Sequence, residues 1–169
     1  MNKRDLNIIG RFVSLLTVKG KKDKSGRFDP YECDCDVRLL WHIFETLRKQ
    51  GKKEIALEFL KMTTTELDRY AKWGGNRSIA MDIGNMGDTE LMPAIRYIME
   101  NNSSQFACDE AALSMIKLDK ILAVEYLSEL LESKDKWRKL SAQKALRTIE
   151  KKELAKIRRI IKNRKIIGS

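Results

Sequence analysis

At 169 residues, with 43% hydrophobic and 34% charged side chains, the chain is long enough to bury a core and suits one helix-rich domain. Nine glycines and two prolines are too few for a turn-rich β fold, and three cysteines, an odd number, argue against a disulfide scaffold. The net charge of +10 directs attention to anionic partners, and its distribution says more than its size.

Residues 1–30 carry eight Lys/Arg against three Asp/Glu, and residues 134–169 carry fourteen against three. Residues 31–133 reverse the balance, with twelve against eighteen. The chain is therefore basic at both ends and acidic through its middle. No apolar run approaches the ~20 residues that a membrane span needs.

Residues 3–18 read as a helix with Leu6, Ile9, Phe12, Val13 and Leu16 on one face. Asp5 and Arg11 interrupt its short apolar centre, so no secretory signal is expected, and a reducing cytoplasm is the expected compartment. A polar, basic loop over 19–35 follows, broken by Gly20, Gly26 and Pro30. Asp34 or Asp36 is placed to cap the next helix. There Val37, Leu40, Trp41, Phe44 and Leu47 share a face, Gly51 marks an end, and Ile55, Ala56, Phe59 and Leu60 form a partner. Residues 36–76 thus read as a degenerate helical hairpin. Thr63 and Glu66 have the spacing of a capping box, which predicts a new short helix through Trp73.

Residues 77–162 repeat one pattern three times: an Ala-rich helix, a polar break and a second apolar helix. Ala80, Ala112 and Ala145 recur 32 and 33 residues apart, inside the range of stacked helical hairpins. In the first pass Ile79, Ala80, Ile83 and Met86 precede Gly87-Asp88, and Leu91, Ile95, Ile98 and Met99 follow. Asp88 and Asp119 are the expected caps of second helices. Pro93 lies in a first turn, where its missing amide costs little. Residues 163–169 read as a tail.

The segments MGDTELMPAI, AALSMI and AQKALRTI resemble the inter-helix turns and first-helix ends of HEAT-like repeats of the short, lyase type. The second and third turns lack the Gly-Asp pair of the first. The resemblance implies an all-α, right-handed α-α superhelix with an extra N-terminal helix. It also implies a binding scaffold, since most such arrays are scaffolds. A minority are alkylpurine DNA glycosylases, in which an acid and aromatic residues line a basic cleft. Here Asp82, Asp109 and Glu110 are the carboxylates on offer, with Trp41, Trp73 and Trp137 as stacking platforms.

Cys33 and Cys35, with His42 seven residues on, form the one metal-like cluster. Their spacing differs from the usual two-residue separation and no second Cys pair exists, so no metal and no cofactor is expected. His42 is expected to be a partly buried helix residue.

The C-terminal helix divides sharply. Leu154, Ile157, Ile160 and Ile161 occupy one arc, and Lys151, Lys152, Lys156, Arg158, Arg159, Lys162 and Lys165 the other. This basic arc is the candidate site for an anionic partner; a solubilising cap is the other reading. The leading expectation is a non-catalytic adaptor that binds protein. Nucleic-acid binding through the basic termini is the second, and a glycosylase the third.

Overall fold

A computed structural model describes residues 37–70 and 75–167, together with Arg11. Within those residues the chain is all-helical, with no strand. The helices are α1 (Val37–Lys49), α2 (Lys53–Tyr70), α3 (Gly75–Met86), α4 (Met92–Asn101), α5 (Gln105–Leu118), α6 (Lys120–Leu130), α7 (Lys136–Arg147) and α8 (Lys151–Ile167). A single 3-10 turn, Thr89–Leu91, leads into α4. The expected helix over 3–18, the basic loop over 19–35 and Trp73 lie outside the described residues.

Local chemistry explains the helix ends. Gly87 stops α3 with φ +66°, a left-handed conformation that glycine takes without a side-chain clash. The Asp88 carboxylate then accepts from the Glu90 amide at 2.9 Å. Pro93 sits in the first turn of α4. Asp119 accepts from the amides of Ile121 and Leu122 at 2.9 and 3.0 Å, and so starts α6. Asp135 does the same for α7 through Trp137 and Arg138.

Consecutive helices pair as α1–α2, α3–α4 and α5–α6, while α8 packs chiefly on α6. The first helices of successive hairpins pack on one another in order, α1 on α3, α3 on α5 and α5 on α7. Each second helix up to α6 also packs on the next first helix. Helix α5 is the centre, with α3, α4, α6 and α7 around it. Its Ala107, Cys108, Ala111, Ala112, Ser114, Met115 and Leu118 are all buried. Ala80, Ala112 and Ala145 are each 1% exposed or less, so the recurring alanines mark where first helices meet. Gly84 permits the closest approach: a Cβ there would lie 2.5 Å from Ser114 Oγ and 3.0 Å from its Cα.

Three expectations need correction. No new helix begins at Thr63; α2 runs through it to Tyr70. The threonine hydroxyls point backwards, Thr63 Oγ1 donating to the Phe59 carbonyl at 2.8 Å and Thr65 Oγ1 to that of Lys61 at 2.9 Å. Buried Leu67 carries the apolar stripe of α2 past them. The first clear hairpin already includes Gly75 and Asn76, ahead of the expected 77, and Asn76 Nδ2 donates to the Thr64 carbonyl at 2.7 Å. And α8 extends to Ile167, through most of the residues expected as a tail.

Candidate interaction surfaces

Helix α8 separates its two chemistries in space. Ile157 is buried, and Leu154 and Ile161 are half-buried against the core. The helix packs chiefly on α6, and Lys120 Nζ of α6 donates to Glu153 Oε1 at 2.7 Å. Glu153 is the one acid in α8. On the opposite side Lys151, Lys152, Lys156, Arg158, Arg159 and Lys162 are exposed, and Arg164, seven residues after Ile157 on its side of the helix, is exposed near the helix end. Among the described residues, none of these seven forms an ion pair. The backbone of Lys165 belongs to α8, and its side chain lies outside the described residues.

The carboxylates singled out from the sequence lie on the first helices, and contacts between helices occupy two of them. Asp109 accepts from Ser141 Oγ at 2.5 Å and from Lys144 Nζ at 2.7 Å, which joins α5 to α7. Glu110 stands 3.7 Å from the Arg77 guanidinium, which joins α5 to α3. Asp82 is raised above the ordinary carboxylate range, first by burial and then by the nearby Glu45. Lys117 reaches Asn85 at 3.3 Å across the same α3–α5 seam.

The aromatic residues divide. Trp41 is half-buried, its ring centroid 5.0 Å from that of Phe44. Trp137 is 51% exposed on α7. Phe106 on α5 is equally exposed. Each is the second residue of its helix, and each sits one turn before the Ser141–Asp109 bond that aligns α5 with α7. The two rings therefore lie at the same level of neighbouring helices. Sequence reading missed Phe106; the signal was its register, 31 residues before Trp137.

His42 is exposed rather than partly buried. It falls on the side of α1 opposite Leu40 and Phe44, which face the core. Cys33 and Cys35 lie outside the described residues. Cys108 is buried, and burial pushes its thiol up to about 11, so it is protonated at neutral pH.

Two further features have no local signal in the sequence. A cleft of about 230 Å³ is lined by Phe44, Arg48, Lys53, Glu54, Leu57, Glu90 and Leu91. Its cations are already paired, Arg48 with Asp88 and Lys53 with Glu90, and the Lys53 ammonium holds Glu90 below the usual carboxylate range. Arg138 of α7 donates from Nε to the Met99 carbonyl at 2.8 Å and also bonds the Glu100 carbonyl. It thereby caps the C-terminus of α4 from a distant helix.

No family model, no curated protein and no solved structure matches the chain.

Proposed function

We propose that this chain is a non-catalytic scaffold that binds another protein through its layer of first helices. In this reading the hairpins form a HEAT-like, right-handed superhelix that works in the cytoplasm. The ordered packing of α1, α3, α5 and α7 supports the stacked arrangement. The observation that carries the binding reading is the pair Phe106 and Trp137, each 51% exposed at the same level of α5 and α7. Large aromatic side chains on adjacent elements are the usual anchors of a protein interface. Met81, 41% exposed on α3, adds an adaptable apolar contact on the same layer. Asp109 and Glu110 hold helices together, and that engagement supports a structural over a catalytic role for them.

The test is affinity capture from nuclease-treated lysate of the native host, with wild type beside the double variant Phe106→Ala, Trp137→Ala. The wild type should retain a partner that the double variant loses while keeping its melting temperature. A partner retained undiminished by the folded double variant would overturn the assignment of the surface.

A further inference from the structure

We infer that the outer face of α8 is a docking site for double-stranded nucleic acid, bound through its phosphate backbone and without regard to sequence. The site is distinct from the proposed protein-binding layer. At 100° per residue, Lys151, Arg158 and Lys162 fall in one row, within about 40° of each other. Lys152, Lys156 and Arg159 form a second row beside it, spread over about 60°. Ala155, small and exposed, lies between the rows. From Lys151 to Lys162 the helix spans about 16 Å. Over that length a duplex presents about ten phosphate charges.

Three observations choose among anionic partners. A helix that inserts into a membrane surface needs a free apolar face. In α8 the described middle of that face is covered, with Ile157 buried and Leu154 and Ile161 packed on the core. A protein interface is depleted in lysine and needs an apolar or aromatic anchor. Among the described side chains, the exposed side of α8 from Lys151 to Arg164 offers only cations, Ala155 and Asn163. Single-stranded nucleic acid is gripped by aromatic stacking, and α8 has no aromatic residue. Two rows of cations with a small residue between them match two phosphate strands. Phosphate contacts require only Lys and Arg, and they carry no sequence information. The acidic middle of the chain limits the footprint to this end, and at physiological salt its repulsion fades over about 8 Å.

Fluorescence anisotropy of the full chain with short labelled duplexes, over a salt series, tests this. Duplex DNA should bind with a steep log–log salt slope, about −5 if all six row cations meet phosphate. Two duplexes of unrelated sequence should bind alike, and either single strand more weakly. Duplex RNA in parallel shows which duplex form is preferred, and binding of either form meets the expectation. The variant Lys156→Gln, Arg159→Gln, Lys162→Gln should flatten the slope by about three units with an unchanged circular dichroism spectrum. Lys49→Gln, Lys52→Gln, Lys117→Gln removes equal charge from elsewhere and should leave the slope nearly intact. The inference is overturned if the α8 variant keeps the wild-type slope or the control variant loses as much. Tighter binding to polyglutamate, to phosphatidylserine vesicles or to single strands would overturn it as well.

Discussion

Helices α5 and α8 have opposite surroundings. Four helices enclose α5, and its Ala107, Ala111 and Ala112 let their axes come close. Helix α8 rests chiefly on α6 and leaves seven described cations in solvent. A helix enclosed on several sides keeps little polar surface, and in α5 the polar groups Asp109, Glu110 and Lys117 sit at its seams with α3 and α7. A helix packed chiefly on one neighbour keeps the split pattern, and α8 shows it. Stability in the first is set by volume and fit, and in the second by one narrow apolar stripe.

The largest expected effect compares one apolar truncation in each helix. Met115→Ala in α5 removes a side chain that is fully buried, and should cost about 2–5 kcal/mol in urea denaturation. Ile157→Ala in α8, 6% exposed and near one end of the fold, should fall at or below the bottom of that range. Equal losses would mean that α8 is as tightly integrated as α5, and the contrast would collapse.

Fit is probed next. Gly84→Ala places a methyl 2.7 Å from Ser114 Cβ, where backbone must move, and should cost about 1–3 kcal/mol. Ser114→Ala should be nearly neutral or stabilising, because its Oγ is buried with no hydrogen-bond partner among the described residues. A large loss in Ser114→Ala would show that the hydroxyl has a role in the seam after all.

Between the two helices stands Asp135, the cap of α7. Asp135→Ala should cost about 0.5–2 kcal/mol. Hydrogen bonds from the Arg138 and Trp137 amides, with the Arg138 guanidinium, hold its carboxyl below the usual range. A carboxylate lowered by folding contributes stability above its ordinary value of about 3.9. That contribution is lost as pH falls through the depressed value. Asp135→Asn should therefore remove part of the acid sensitivity seen in thermal melts of the wild type; identical pH profiles would refute the cap's charged role.

The smallest effect belongs to the solvent side of α8. Lys156→Gln with Lys162→Gln should shift stability by less than about 0.5 kcal/mol, since neither residue forms a described ion pair. A clear loss of stability would mean that these cations hold the fold.

Much of this architecture was legible before any coordinates. The period of apolar residues located every helix from α3 to α8; Asp119 caps α6 where a short polar break suggested, whereas Asp88 caps the 3-10 turn ahead of α4 and not α4 itself. Asp135 was missed although it too directly precedes a helix. The capping box at Thr63 misled, because the same hydroxyl bonds backwards to the Phe59 carbonyl when a helix continues.

Local chemistry suffices for helices, caps and the split face of α8, because those depend on residues a few positions apart. Sequence also carried the repeat, since Ala80, Ala112 and Ala145 recur where helices meet. Tertiary packing alone brought Arg138 to the end of α4, Asp109 to Ser141 and Lys144, and Phe106 level with Trp137. These partners lie about thirty to forty residues apart, and nothing local selects one distant residue over another. Which helix becomes enclosed was likewise decided by packing: α5 and α6 both read as apolar, and only the order of stacking put α5 in the middle.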